Sequence, residues 1–166
     1  MFKYILGLCL FSTSCGTLDP LNTLHSEYYE GLNIQFSQEF VDTGAATEVR
    51  EVSNHLNDQI GRDVTFNPDG VGVLISWGKL KHPIVGVFYR DTSEIVLDFD
   101  YAVRVPRYVF HKLIRHEIGH AFVLIHVEDL NDIMAPNIHS RPTVSESELI
   151  DIWVTRIKNQ IEGLPQ

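Results

Sequence analysis

Between Val64 and Asp100 the chain leaves no room for a helix. Four runs, "VTF" (64–66), "VGVLISW" (71–77), "IVGVFYR" (84–90) and "EIVLDFD" (94–100), are rich in β-branched and aromatic residues. Each is set off from the next by turn-forming residues, "NPDG", "GKLKHP" and "DTS". A fifth run, "LNIQFS" (32–37), alternates apolar and polar residues. It is parted from the others by a helical pattern that opens at Gly44-Ala45-Ala46 and carries Val49, Val52, Leu56 and Ile60 at spacings of three and four. Gly61 follows the last periodic residue, where a helix C-cap glycine belongs.

Two more helical patterns follow the strands. Pro106 suits a first helical position, and an apolar face runs through Val109, Leu113, Ile114, Ile118, Ala121, Phe122 and Ile125. After an irregular stretch from about His126 to Thr143, Ser145 and Glu148 form a capping box. It opens a helix with Leu149, Ile152, Trp153, Ile157 and Ile161 on its buried side. The order is strand, helix, four strands, helix, loop, helix, which predicts an α+β domain.

The 166 residues suffice for one domain with its own core, and a hydrophobic fraction of 44% with 21% charged residues belongs to a folded globular chain. A formal net charge of -9 without a Lys/Arg cluster excludes nucleic acid as a partner. The beginning, "MFKYILGLCLFSTSC", has one lysine, an apolar run and a closing cysteine, and reads as an export signal over 1–15. Its ending resembles a bacterial lipoprotein signal, with Cys15 as the lipidated first residue of the mature chain; plain secretion is the alternative. Residues 16–31 read as a spacer and 32–166 as the folded domain, expected to be monomeric and exported to the cell envelope or beyond. The only two cysteines are Cys9 and Cys15. The mature domain therefore has no disulfide, and any metal must be held by His, Asp or Glu.

Residues 116 to 136, "HEIGHAFVLIHVEDLNDIMAP", supply such ligands. Positions four apart on a helix share a face, so His116 and His120 can direct their imidazoles at one ion. Glu117 lies beside that face, placed to take a proton from a water that zinc acidifies. His126 stands six residues after His120. A continued helix would carry it about 15 Å along the axis from His116 at roughly 1.5 Å per residue, so for His126 to be the third ligand the helix must break near Val123. Otherwise Asp129, Asp132, Glu146 or Glu148 would complete the site. His55, His82, His111 and His139 have no partner at ligand spacing and read as surface or core histidines. No calcium-loop pattern is visible, although Asp98 and Asp100 are carboxylates that could serve calcium.

The stretch resembles the metzincin clan of zinc endopeptidases, and among them most closely the matrixins. The matching residues are His116, Glu117, Ile118, Gly119, His120, Ala121, His126, Ile133, Met134 and Pro136. The resemblance implies a twisted, mostly parallel five-stranded sheet with one antiparallel edge strand, a backing helix, an active-site helix and a C-terminal helix. It also implies one catalytic Zn2+ on His116, His120 and His126, Glu117 as general base, and a structural methionine turn at Met134. Protein or peptide substrates would lie along the edge strand, Ile84 to Tyr89, and Pro136, Asn137 and Ile138 would wall the specificity pocket. Two positions depart from the pattern. Ala135 replaces an aromatic, and Val123 stands where the family has a glycine in a left-handed turn, a conformation that costs a residue with a β-carbon about 1–2 kcal/mol. A non-catalytic envelope protein that keeps the zinc site is the competing expectation. Since no pro-segment is visible, the mature domain is expected to need no proteolytic activation.

Overall fold

The computed structural model describes residues 31–162 apart from Arg62 and Ser140, so the signal, Cys15 and residues 16–30 of the spacer lie outside the described residues. Strands β1 (Gly31–Phe36), β2 (Asp63–Thr65), β3 (Val73–Gly78), β4 (Gly86–Tyr89) and β5 (Glu94–Asp98) form one sheet in the order β2-β1-β3-β5-β4. Neighbours are parallel except β4 and β5, which pair antiparallel and leave β4 at the edge. This is the expected mostly parallel sheet with one antiparallel edge strand.

Side-chain alternation shows which face is covered. Leu32 and Ile34, Val73 and Ile75, and Ile95 and Leu97 are buried, while Asn33, Gln35, Leu74, Ser76 and Val96 between them are only partly covered. The period of two thus gives the sheet one apolar face, and the helices bury it. They are α1 (Gln38–Asp42), α2 (Ala45–Ile60), α3 (Phe99–Ala102), α4 (Arg107–Ala121) and α5 (Glu146–Glu162). From α2 come Val49, Val52 and Leu56, from α4 Leu113, Ile114 and Ile118, and from α5 Trp153 and Ile157, each at most 1% exposed. Burying each such side chain contributes about 1.5–3 kcal/mol, which holds α4 in place despite the polar residues it also buries.

Two short helices were not anticipated. Ser37 caps α1 by accepting from the Phe40 N–H, and Phe40 anchors it in the core. Asp98 caps α3 by accepting from the Tyr101 N–H at 2.8 Å, so β5 ends at Asp98 rather than at Asp100. Capping hydrogen bonds of this kind compete with strand pairing wherever an Asp or Ser meets a free N–H two or three residues on. The expected apolar face of α4 was also too long. The helix ends at Ala121, and Ile125 is 51% exposed.

Candidate metal centre

The end of α4 builds the site. Val123 N–H donates to the His120 carbonyl and Leu124 N–H to the Gly119 carbonyl, both at 2.9 Å. That pair of bonds is a Schellman motif, which requires a left-handed residue at its turning point. Val123 is that residue, with φ of 61°. It packs against the core cluster and Leu124 is 5% exposed, so apolar burial offsets the backbone strain. The motif turns the Leu124 carbonyl back onto its own helix, where it accepts from His120 Nδ1 at 2.8 Å. Two residues later His126 faces the helix it has just left.

The three imidazoles converge. The Nε2 atoms of His116 and His126 are 3.0 Å apart, those of His120 and His126 3.1 Å, and those of His116 and His120 3.2 Å. His116 Nδ1 meets the Ile133 carbonyl at 2.8 Å as His120 Nδ1 meets that of Leu124. A carbonyl only accepts, so both Nδ1 atoms carry the proton and both Nε2 atoms present lone pairs. Burial keeps these rings neutral: it pushes the pKa of His116 down to about 3 and that of His120 to about 4, and lowers that of His126. Two lone pairs held 3.2 Å apart repel one another and cannot share a hydrogen bond. A cation between them removes the conflict. Zinc–nitrogen bonds of roughly 2.0–2.1 Å in a tetrahedron set nitrogens about 3.3–3.4 Å apart, close to the observed triangle, and three protein ligands leave the fourth vertex open. His116, His120 and His126 together are placed to hold a metal ion.

The turn beneath this triangle is held from α5. Asp132 accepts from the Met134 N–H at 2.7 Å and from Arg156 Nη1 at 2.8 Å, and Arg156 Nη2 donates to the Ile125 carbonyl at 3.1 Å. One guanidinium thus ties the methionine turn to the residue before His126. Met134 is fully buried under α4, where a β-carbon on Gly119 would lie 2.5 Å from its sulfur. The glycine in "HEIGH" is therefore what lets the turn approach the helix. Sequence reasoning took no notice of Arg156, whose spacing carries no signal, and considered Asp132 only as a ligand.

Glu117 is 3% exposed, and burial pushes its carboxyl up to about 8. Its Oε2 has no hydrogen-bond partner among the described residues. Its Oε1 lies against the edge strand, 2.5 Å from where a β-carbon of Gly86 would be. A glycine inside a strand pattern is the usual mark of such a close approach, and "IVGVFY" carried that mark unread.

The alternative third ligands are elsewhere. Asp132 is occupied by Arg156, and Asp129 accepts from the Asn131 N–H at 2.9 Å. Glu146 pairs with Arg115, and the Glu148 N–H donates to Ser145 as the capping box requires. Of the pocket residues, Ile138 is buried in the wall of a cavity beside the site, while Pro136 and Asn137 are exposed. Asp98 accepts from the Leu80 and Tyr101 N–H groups, and no metal-sized group among the described residues includes it or Asp100. His111 corrects one expectation, since it does have partners at ligand distance. Buried on α4, it lies 2.6 Å from Glu48, with Glu51 close by. The Arg107 guanidinium already bridges both glutamates, which makes this a charged clasp between α2 and α4. These partners are some sixty residues apart, beyond the reach of any spacing rule.

No family model matches the sequence, and no curated protein is similar to it in sequence. Among solved structures it is similar to the crystal structure of a zinc-dependent peptidase from Methanocorpusculum labreanum (strain Z), at 12% identity and a TM-score of 0.45. The match covers 75% of this chain and 100% of that one.

Proposed function

We propose that the protein is a zinc-dependent endopeptidase of metzincin type, most like the matrixins, which hydrolyses peptide bonds in protein substrates. The observation that carries this reading is the convergence of three imidazole Nε2 atoms, with the protons of His116 and His120 on their far nitrogens, next to Glu117 with its buried, unpartnered oxygen. The methionine turn and the H-E-x-x-H helix of the sequence support it.

His116, His120 and His126 would hold a zinc ion, which when bound would supply a Lewis acid for a carbonyl and for water. Glu117 takes the proton from the attacking water and returns it to the leaving amine. Burial pushes its carboxyl up to about 8, so the group gives and takes protons near neutrality. The substrate lies extended along β4, whose outer edge pairs with no other strand among the described residues and whose Gly86 lies against Glu117. The signal-like beginning of the chain supports export, with Cys15 as the lipid anchor or with plain secretion.

Metal content and cleavage of an unfolded protein, with and without chelator, test the reading. One zinc per chain is expected, with cleavage abolished by chelator and lowered about 10²–10⁴-fold in Glu117→Ala. Stoichiometric zinc without cleavage by the unmutated protein would sink the enzyme. His126→Ala should weaken zinc binding markedly, and unchanged affinity would hand the third position to another residue.

A further inference from the structure

Beside the metal centre, α4, the segment after the methionine turn and α5 enclose a cavity of about 440 Å³. It reaches Lys112, one helical turn before His116, and includes Ile133, whose carbonyl holds His116. Its apolar wall is formed by Val105, Val109, Ile133, Ile138, Leu149 and Ile150. Its charged lining is Arg104, Lys112, Arg115 and Arg141 against Glu146 alone. In a chain of formal net charge -9 that balance is reversed with respect to the molecule as a whole.

Two of the cations are set deep. Lys112 is 8% and Arg115 7% exposed, whereas Arg104, Tyr108 and Arg141 at the rim are exposed. The anions that face Arg115 satisfy it only in part. Glu146 accepts from Arg115 Nη1 at a long 3.3 Å and its side chain is 59% exposed, while Glu51 acts on Arg115 only through charge. Asp132 attracts Lys112 and also accepts from Arg156 at 2.8 Å. The Nε–H of Arg115 is buried with no acceptor among the described residues. A guanidinium presents donors in a fork that fits a carboxylate, and buried polar groups gain most from a partner of that kind.

We infer that this cavity receives an acidic side chain of the peptide substrate, glutamate above all, with its methylenes on the apolar wall and its carboxylate between Arg115 and Lys112. Glutamate is favoured over aspartate because its longer stem reaches further along the apolar wall to the deep cations. The inference rests on the peptidase reading and adds to it a class of cleavage site.

Two measurements on the full-length, zinc-loaded protein test it. In a digest of unfolded proteins, with cut sites read by mass spectrometry, glutamate should be enriched several-fold at one fixed position beside the cut. In the Glu117→Ala protein, fluorescence anisotropy of a labelled peptide carrying one glutamate should show binding roughly tenfold tighter than its glutamine counterpart. Salt should narrow that gap. Arg141→Glu, a charge reversal at the exposed rim, should narrow it in part, and Arg104→Glu should act in the same direction.

Cleavage without the glutamate preference overturns the inference and leaves the peptidase reading standing. Binding that distinguishes glutamate from glutamine in a protein whose unmutated form cleaves nothing overturns the peptidase reading and keeps the ligand class. Equal binding together with no cleavage overturns both.

Discussion

His116 donates from Nδ1 to the carbonyl oxygen of Ile133 at 2.8 Å, and through that one bond a turn seventeen residues further on decides which nitrogen of the ring faces the metal position. The site therefore depends on the loop between α4 and α5 as much as on the helix that carries the motif.

Arg156 holds the loop by two bonds, one to buried Asp132 and one to the Ile125 carbonyl. Arg156→Met removes the cation that is hydrogen-bonded to the buried Asp132 carboxylate. Breaking a fully buried pair costs about 3–5 kcal/mol; with the Arg156 side chain 24% exposed, a loss of roughly 2–3 kcal/mol is expected in urea unfolding. Zinc affinity should fall about 10–100-fold, as for other residues that orient metal ligands. Wild-type affinity in this variant would show that His126 is positioned without the clamp.

Val123→Gly removes a left-handed penalty of about 1–2 kcal/mol. It also adds about 0.5–1 kcal/mol of chain entropy to be lost on folding and gives up part of the packing of a half-buried side chain. These terms nearly cancel, so unfolding free energy should change by less than about 1 kcal/mol and zinc affinity should stay the same. A large loss of stability would mean that the packing of Val123 outweighs its strain.

Gly119→Ala is a test of sign. In an ordinary helix interior the change stabilises by about 1 kcal/mol. Here the new methyl would lie 2.5 Å from Met134 Sδ and 3.0 Å from Trp153 Nε1, so overpacking should cost about 1–3 kcal/mol and lower the melting temperature. A rise in melting temperature would show that the methionine turn stands further from the helix than described.

Gly86→Ala places a β-carbon 2.5 Å from Glu117 Oε1 and 2.8 Å from Leu113 Cδ1. The carboxylate must move while the three histidines stay. Zinc stoichiometry should be retained and, on the proposed role of Glu117 as general base, kcat should fall about 10²-fold. Loss of zinc together with activity would point instead to a general disturbance of α4.

Much of the site was legible because it is local. The four-residue spacing of His116 and His120, with Glu117 beside them, needs only helical geometry. The capping box at Ser145 and the glycine after Ile60 need only the chemistry of helix ends. His126 was legible only through the resemblance to the metzincins, since a valine at the turning point hides the left-handed residue that propensity rules look for. Its conformation follows from Schellman bonds to Gly119 and His120 and from the burial of Leu124, which repay a strain that the residue type alone argues against.

What the sequence by itself determined is the order of the elements and the face of α4 on which two imidazoles stand, because periods of 2 and 3.6 act over a few residues at a time. Only the tertiary structure decided the strand order, the clamp of Arg156 on Asp132 and Ile125, the contact of Gly86 with Glu117, and the gathering of Arg104, Lys112, Arg115 and Arg141 around one cavity. Those partners lie up to nearly forty residues apart, and no short-range periodicity links them. They meet because one apolar sheet face and three apolar helix faces can be buried together in few ways, and the polar groups carried along must then find partners wherever that packing leaves them.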